Sequence, residues 1–364
     1  MTTIDQARPT PTEQPQLDMD ALMAFVFRAV EEVGATLNTA LVVMGDKLGY
    51  YRTLADHGPT TPSELAERTG TGEPYAREWL NAQAAGGYVT YDGHRFTLPP
   101  EHAAALTDEK SPAYLPGFFQ LALGTVHDTD AVLAAAAQGD GLGWHSHGDD
   151  VFVGCERFFR TMYNGHLLAD WLPALDGVVS KLERGANVAD VGCGHGASTI
   201  LMAQAFPRST FVGSDYHAGS IDTARARAAE AGVSDRVTFE VAPADSYSGR
   251  GHDLVTMFDC LHDLGDPVGA ARHVRETIAV DGTWLVVEPM AGDRLEDNLN
   301  PVGRAYYGFS TLLCTPASLS QDVGLALGTQ AGPARIHDVT TTAGFTQFRT
   351  AAETPFNRVI EIRP

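Results

Sequence analysis

The sequence predicts an α/β protein with a seven-stranded, doubly wound sheet whose last strand is antiparallel, preceded by an N-terminal helical winged-helix domain. Strand-like and helix-like segments alternate from Asn187 onward, a pattern typical of a parallel sheet with helices on both faces. Two more strand-like segments end the chain, close enough together to pair as a hairpin at the sheet edge. Nearer the N-terminus, two short helical segments run into a hairpin signal at Asp92 and Gly93, and together they predict a winged helix.

The length and the charge of the chain limit the classes of function to consider. A chain of 364 residues suggests two domains, at roughly 150 residues each, or one domain with a large appendage. Its 25 basic and 46 acidic residues leave a net charge of −21, which repels nucleic-acid phosphates and anionic lipids. We therefore expect neither nucleic acid nor a membrane as a partner.

The N-terminus and the cysteines favour a cytoplasmic location. Residues 1–18 are rich in Pro, Thr and Gln and lack the basic start and apolar core of a signal peptide, so we expect a disordered leader. No stretch approaches the roughly 18 apolar residues of a membrane span. The four cysteines form no CxxC pair, which argues against a disulfide framework or a thiolate zinc site.

A helical winged-helix domain is predicted over residues 19–110. Apolar residues recur at helical spacing from about residue 19 to residue 54, which predicts amphipathic helices with Gly34 and Gly45 as weak points. A capped helix is predicted next, beginning after Thr60 or Thr61 and ending at Gly70.

The rest of the chain is predicted as two regions. Residues 111–182 read as a mainly helical linker region that covers the active site, broken by a stretch rich in Gly and Asp. Residues 183–364 hold the sheet. Its predicted strands are NVADVG, TFVGSD, RVTFEV, DLVTMFD, TWLVVEP, FTQFRTA and FNRVIEIRP.

The most informative segment is a glycine-rich turn after the first strand of the sheet. Gly192, Gly194 and Gly196 precede a helix, and glycines let a ligand lie against bare backbone. The GxGxG spacing, two residues after Asp190, differs from the GxGxxG that holds a pyrophosphate and suits a nucleoside without phosphate. Asp215 ends the next strand, near the interval at which a carboxylate meets ribose hydroxyls.

These motifs resemble those of class I S-adenosylmethionine-dependent methyltransferases with a Rossmann-like sheet and an N-terminal winged helix. The chain looks most like a bacterial small-molecule group and more distantly like plant-type O-methyltransferases. The resemblance implies S-adenosylmethionine as cofactor and S-adenosylhomocysteine as product, with the methionyl part over the glycine turn, ribose on Asp215 and adenine beside Asp245. The implied cofactor-binding residues are Asp190, Gly192, Cys193, Gly194, Gly196, Asp215, Tyr216, Ala244, Asp245, Phe258 and Asp259.

His262 is the candidate general base. It follows the fourth strand, where the carboxyl ends of strands face the ligand crevice, and a histidine there can take a proton from a nucleophile. The resemblance to plant-type O-methyltransferases implies this role for His262, with Asp263 beside it and Glu288, at the end of the fifth strand, orienting it. The alternatives are a His262 that caps the following helix and a Glu288 that is a solvated strand-end acid.

The remaining polar candidates have weaker signals. Asn300 and Tyr307 follow the fifth strand, where this fold inserts a substrate-covering helix, and are candidate substrate contacts, although aromatic residues at helical spacing more often belong to a core. Residues 145–150 carry histidines and acids but lack a second half for a zinc site, so we interpret them as a solvated loop. Cys193 and Cys260 are interpreted as packing residues, and no metal is expected.

The predicted function is O-methylation of a small molecule, with nitrogen or carbon as less favoured acceptors. The alternatives are a DNA-binding regulator with a methyltransferase-like ligand domain, and an enzyme of this fold with other chemistry. The second helix of the winged helix offers only Arg77 as a base, which argues against DNA readout. In similar methyltransferases this module mediates homodimerisation. Because the apolar stripe of residues 22–48 also needs a surface to cover, we expect a homodimer.

Overall fold

A computed structural model of the protein describes residues 17–364, and it confirms the predicted fold class. The predicted leader over residues 1–18 lies outside the described residues except for its last two positions. Of these, Asp18 caps the first helix, because its carboxylate accepts hydrogen bonds from the backbone N–H groups of Asp20 and Ala21.

The N-terminal part folds as five helices and a short hairpin. These elements are α1 (Met19–Lys47), α2 (Tyr50–His57), α3 (Pro62–Thr69), α4 (Glu73–Ala85), β1 (Thr90–Tyr91), β2 (Phe96–Thr97) and α5 (Pro100–Leu106). Helix α1 runs without a break through Gly34 and Gly45, so the two predicted weak points do not divide it. The chain turns instead at Gly49, whose φ of 71° is left-handed.

The core of this part is built around the indole of Trp79 on α4. Both Tyr50 and Tyr51 of α2 contact the Trp79 ring edge to face, and their ring centroids lie 4.9 and 5.0 Å from the centroid of Trp79. The indole N–H also donates to the carbonyl of Leu41, 2.8 Å away, which fixes α4 against α1. The preceding helix, α3, begins with a reciprocal capping box between Thr61 and Glu64.

Four helices connect this part to the sheet: α6 (Pro116–His127), α7 (Thr129–Gln138), α8 (Asp149–Met162) and α9 (Val178–Arg184). A π-helical segment, Tyr163–Trp171, continues α8. Helices α6 and α8 cross closely at Gly154, where a Cβ atom would lie 2.3 Å from the backbone nitrogen of Leu121. Since no side chain fits in that gap, the glycine sets the distance between the two helices.

The sheet has seven strands: β3 (Asn187–Val191), β4 (Thr210–Asp215), β5 (Val237–Val241), β6 (His252–Phe258), β7 (Ile278–Pro289), β8 (Gln347–Glu353) and β9 (Asn357–Arg363). Their order is β5-β4-β3-β6-β7-β9-β8, and β9 is antiparallel to both of its neighbours. The order reverses beside β3, so the carboxyl ends of β3 and β6 border a crevice where ligands bind in sheets of this kind.

Helices cover both faces of the sheet. They are α10 (Ala197–Ala205), α11 (Ala218–Glu230), α12 (Pro267–Thr277) and α15 (Pro333–Thr342). Two further helices, α13 (Pro301–Phe309) and α14 (Thr315–Leu319), follow β7 in the chain and are joined by a π-helical segment, Ser310–Cys314. Alternate residues of the central strands enter two separate apolar cores, one packed on α10 and α11 and the other on α12 and α15. Within residues 17–364, no helix combines the length and apolarity that crossing a bilayer requires.

The close approach at Gly154 yields a test of this packing. Gly154→Ala should lower the free energy of unfolding by about 1–3 kcal/mol, because the added methyl group meets backbone atoms that cannot move aside. The matched control is Gly308→Ala on α13, where a Cβ atom has no neighbour within 4 Å and the change should cost nothing. Denaturant unfolding measures both, and an equal effect of the two substitutions would contradict the packing described.

Candidate active site

Two adjoining cavities lie at the carboxyl ends of the central strands. The larger, of about 390 Å³, borders the glycine turn and the ends of β4, β5 and β6. The smaller, of about 60 Å³, is walled mainly by aromatic and aliphatic side chains. Five residues line both cavities, namely Trp144, Cys155, Phe159, Asp259 and Asp263. A molecule in the larger cavity would therefore lie beside one in the smaller.

The glycine turn forms one wall of the larger cavity. Gly192 adopts a φ of 73°, and a Cβ atom there would lie 2.8 Å from the sulfur of Cys260. The backbone N–H groups of Gly192 and Cys193 donate to the carbonyl of Ser214, at 2.8 and 3.0 Å. These bonds fold the turn back onto β4 and leave its outer backbone facing the cavity.

Asp215, at the end of β4, joins the turn to the next loop. Its carboxylate accepts hydrogen bonds from the backbone N–H groups of Gly194, at 3.0 Å, and His217, at 2.9 Å. Burial raises the pKa of Asp215, although these two donors favour the charged form. The carboxylate lines the larger cavity, so a ligand there can donate to it.

Asp190 lies beneath the turn and does not line either cavity. Its carboxylate is buried and accepts three hydroxyl hydrogen bonds, from Ser198 and Thr199 at the start of α10 and from Thr256 on β6, at 2.6–2.7 Å. Burial raises the pKa of this group despite the three donors. In this structure Asp190 supports the turn by tying β3, β6 and α10 together.

The structure brings together most of the predicted cofactor residues, but not all of them. Those that line the larger cavity are Gly192, Cys193, Gly194, Asp215, Tyr216, Ala244, Phe258 and Asp259. Gly196 instead begins α10, with a φ of 77°, beneath the ring of Phe239. Asp245 is exposed and lies outside the lining.

His262 lies in the smaller cavity, in a short helical turn that follows β6. Its Nδ1 is 2.5 Å from one carboxylate oxygen of Glu288, and the other oxygen accepts the backbone N–H of Leu261 at 3.0 Å. Glu288 is 2% exposed, so it is not a solvated acid. His262 does not cap the next helix either, because the side chain of Asp266 caps α12. The pair leaves Nε2 of His262 as the nitrogen free for other contacts.

Asp263 lies on the other side of the imidazole. Its Oδ1 is 3.2 Å from Nε2 of His262, and its Oδ2 accepts the indole N–H of Trp144 at 3.0 Å. Burial by itself lowers the pKa of His262, but the carboxylates of Glu288 and Asp263 outweigh it and hold that pKa well above the ordinary histidine value.

Asp259 has an unusual backbone at the boundary of the two cavities. Its φ of 48° is left-handed, which is uncommon for a residue with a side chain and tends to occur at functional sites. The side-chain amide of Asn357 donates to its carboxylate at 2.9 Å. Burial, together with the nearby Glu288, holds the pKa of Asp259 well above its usual range.

The prediction of a solvated loop over residues 145–150 holds only in part, because His145 and Ser146 are exposed but His147 is buried and Asp149 and Asp150 begin α8. Trp144 and His145 line the larger cavity, and His147 is buried with its Nδ1 2.7 Å from a carboxylate oxygen of Asp128. The indole of Trp144 draws this segment inward by packing against the ring of Phe152 and donating to the carboxylate of Asp263.

Sequence reasoning missed the wall that α8 contributes. Phe152, Cys155 and Phe159 line the larger cavity, and their spacing of three and four residues marks one face of a helix. That spacing was visible in the sequence. The spacing alone does not determine whether such a face meets a core or a cavity, because the segments that face it lie far away along the chain.

Asn300 and Tyr307 do not line either cavity. The side chain of Asn300 caps α13 by accepting the backbone N–H of Gly303 at 2.9 Å. Tyr307 is half-buried on the same helix, whereas its neighbour Tyr306 lines the smaller cavity.

The electrostatics of the cavities favour cationic and neutral ligands. Four acids line them, namely Glu156, Asp215, Asp259 and Asp263, and none of the described lining residues is a lysine or arginine. A phosphate group would find no lysine or arginine there, whereas a positively charged centre would be attracted by the acids.

Two families match segments of the chain. The Methyltransferase domain family matches residues 189–284, and the Rv2258c-like winged HTH domain family matches residues 36–108. No curated protein sequence matches the chain.

Solved structures of methyltransferases share the fold across nearly the whole chain. Mitomycin 7-O-methyltransferase MmcR has a TM-score of 0.68 at 19% identity, over 95% of this chain and 99% of that one. An O-methyltransferase family protein from Burkholderia thailandensis has a TM-score of 0.67 at 19% identity, over 93% and 98%. Human N-acetylserotonin methyltransferase, solved in complex with S-adenosylmethionine, has a TM-score of 0.67 at 14% identity, over 93% and 97%. The chain thus carries a methyltransferase domain behind an Rv2258c-like winged helix-turn-helix domain, which confirms the resemblance predicted from its motifs.

Proposed function

We propose that the protein transfers a methyl group from S-adenosylmethionine to an oxygen atom of a small-molecule acceptor, with His262 as the general base. One observation carries the proposal: the cavity beside the glycine turn adjoins the cavity that holds the His262–Glu288 pair. A methyl donor and a hydroxyl acceptor in the two cavities would meet at the residues that both share.

The residues of the larger cavity fit the proposed cofactor. The backbone of the glycine turn is open to a ligand, and the Asp215 carboxylate can accept hydrogen bonds from ribose hydroxyls. The acidic lining suits a positively charged sulfonium and contains no lysine or arginine that would hold a phosphate. When bound, S-adenosylmethionine supplies a methyl group on a positively charged sulfur, which an oxygen nucleophile can attack in line.

The His262–Glu288 pair is suited to taking the acceptor's proton. Glu288 accepts from Nδ1 and thereby fixes the ring orientation, so Nε2 is the atom that can accept a proton from a hydroxyl in the smaller cavity. The imidazolium that forms is stabilised by the carboxylates of Glu288 and Asp263. Glu288 acts here as a positioning residue. The aromatic wall of the cavity, with Phe118, Phe158 and Phe309, suits a flat acceptor.

A role in DNA binding gains no support from the winged helix. Ala76, Trp79 and Leu80 of α4 are buried, and Trp79 packs against α1 and α2. Its one base, Arg77, pairs with Glu73 at 3.2 Å and Glu78 at 3.3 Å, so no free positive charge remains on the helix to meet phosphates.

We also propose that the protein is a homodimer formed through α1. The first two turns and the middle of this helix expose a long apolar surface, whose members are Met19, Leu22, Met23, Phe25, Val26, Phe27, Val30, Val33 and Leu37. Phe25, Phe27 and Val30 are each more than 60% exposed. A monomer rarely leaves so large an apolar surface in water, and an identical helix of a second copy is complementary to it.

The cofactor proposal predicts a loss of affinity on Asp215→Ala. Removing two charge-assisted hydrogen bonds to ribose should weaken binding of S-adenosylhomocysteine by about 2–3 kcal/mol. Calorimetric titration measures this, with Asp235→Ala as control, since Asp235 is exposed on the loop before β5 and lies outside both cavities. Unchanged affinity in a folded Asp215→Ala protein would mean that Asp215 does not bind the ribose.

The base proposal predicts that His262→Ala lowers the methyl-transfer rate by ~10²–10⁴ while affinity for S-adenosylhomocysteine stays nearly the same. His262→Gln, which keeps much of the side-chain volume, should be slow as well. Because the pKa of His262 is raised, its protonated form persists above the ordinary value, and the parent rate should climb as pH rises through the raised pKa. This limb should vanish in His262→Ala, so a pH–rate profile with the same limb in both proteins would rule out His262 as the base.

The dimer proposal predicts twice the monomer mass in light scattering at micromolar concentration. Phe25→Asp and Val30→Asp should each shift the mass toward the monomer, because they place a charge in the apolar contact. Val280→Asp is the control, since Val280 is exposed in the sheet domain, far along the chain from α1. A parent protein that runs as a monomer would contradict the proposal.

A further inference from the structure

We propose that His262, Asp263 and Cys314 form a binding site for a thiophilic divalent cation, of which Zn²⁺ is the best match, and that an occupied site stops methyl transfer. The binding is independent of the proposed function. The inhibition rests on it, because it assumes that His262 is the base.

The three side chains bring an imidazole, a carboxylate and a thiol close together. One ligand atom of each lies within 4.8 Å of the others, and within residues 17–364 this is the one such group of three that the structure brings together. The distance from Nε2 of His262 to Oδ1 of Asp263 is 3.2 Å. Two ligands bound at roughly 2.0–2.1 Å in tetrahedral geometry would lie about 3.3 Å apart, so this pair needs almost no movement to share a cation.

The surroundings leave one free donor atom on each of the first two side chains. Glu288 is bonded to Nδ1 of His262, the arrangement that orients a metal-binding imidazole and directs Nε2 toward the ion. Trp144 donates to Oδ2 of Asp263, which holds that carboxylate in place. Its Oδ1 makes no hydrogen bond and lies 3.2 Å from Nε2 of His262, although Asp263 is only 8% exposed. The positive charge of the imidazolium compensates this buried carboxylate, and a bound cation would take over that role once His262 loses its proton.

Cys314 decides the class of cation. A set of imidazole, carboxylate and thiolate favours zinc and similar soft or borderline ions over magnesium and calcium, which prefer oxygen. Burial raises the pKa of the Cys314 thiol to about 12. The carboxylates of Glu288 and Asp263 outweigh burial and raise the pKa of His262, so on binding the thiol and the imidazolium each give up one proton to solvent. The smaller cavity, which all three side chains line, provides room for a water as the fourth ligand.

Occupancy of this site would remove the proposed base. The cation would bind Nε2 of His262, the atom that accepts the acceptor's proton, and its water would fill part of a cavity of only about 60 Å³. The same ion would therefore compete with the acceptor and disable proton removal. Of the three ligands, only Asp263 also lines the larger cavity beside the glycine turn, so binding of S-adenosylhomocysteine should persist.

Cobalt titration of the full chain tests the binding directly. Co²⁺ is a spectroscopic substitute for Zn²⁺, and a Co²⁺–thiolate bond gives an absorption band in the near ultraviolet. The parent protein should show this band in a saturable 1:1 titration, and Zn²⁺ should abolish it. Cys314→Ser should lose the band, whereas Cys155→Ser should keep it. Cys155 is the matched control because it lines the same cavity but lies outside the three-ligand group.

Three results would overturn the site: no saturable cobalt binding by the parent, a thiolate band that survives in Cys314→Ser, or a band lost equally in Cys155→Ser. Asp263→Asn is a second variant, for use if Cys314→Ser does not fold, and it should weaken cobalt binding by at least about tenfold. In activity assays, Zn²⁺ should inhibit the parent, and Cys314→Ser should need at least about tenfold more Zn²⁺ for half inhibition. Cobalt binding without inhibition of an active parent would overturn the inhibitory role. Absence of methyl transfer with cobalt binding intact would instead count against the proposed function.

Discussion

The arrangement of the site depends on the two hydrogen bonds that the buried carboxylate of Glu288 accepts. One of its oxygens holds the backbone of Leu261 and the other holds the imidazole of His262, so a single side chain on β7 fixes the turn that follows β6. A carboxylate that is 2% exposed must find donors or become neutral, and these two donors are what the turn supplies. Asp190 plays the equivalent part beneath the glycine turn, with three hydroxyl donors.

The two anchored turns explain how a shared fold acquires a specific site. Each follows a central strand of the sheet, and each is held by an acid that belongs to the sheet, so the two cavities form between rigid elements. Two contacts hold the helical segments that close the cavities. The indole of Trp144 donates to Asp263, and the close crossing of α6 and α8 at Gly154 fixes the position of α8, whose aromatic face lines the larger cavity.

The sequence predicted the sheet and the turns well because their signals are local. Alternating segments, the glycine spacing after β3 and the acid that ends β4 each depend on a few neighbouring residues. The position of His262 after the fourth strand follows from the same logic.

The cavity walls were not predictable in this way. Trp144 and Asp263 are 119 positions apart, and Cys314 reaches His262 through a π-helical segment that no local pattern marks. Asp245 fails in the other direction. Its position in the sequence suggested a place beside adenine, but its side chain is exposed and lies outside the cavity lining. The predicted domain boundaries and the role of each site residue stay predictions.

Whether His262 takes a proton from the acceptor can be measured through the acidity of the acceptor. The measurement is the methyl-transfer rate as a function of the acceptor's pKa. A series of phenols, from one of ordinary acidity (pKa about 10) to one already ionised at the assay pH, would be compared in the parent and in His262→Ala. If His262 is the base, the variant should lose much of its rate for the ordinary phenol and little for the ionised one, which has no proton to give. An equal loss for both acceptors would show that His262 shapes the cavity and does not accept the proton.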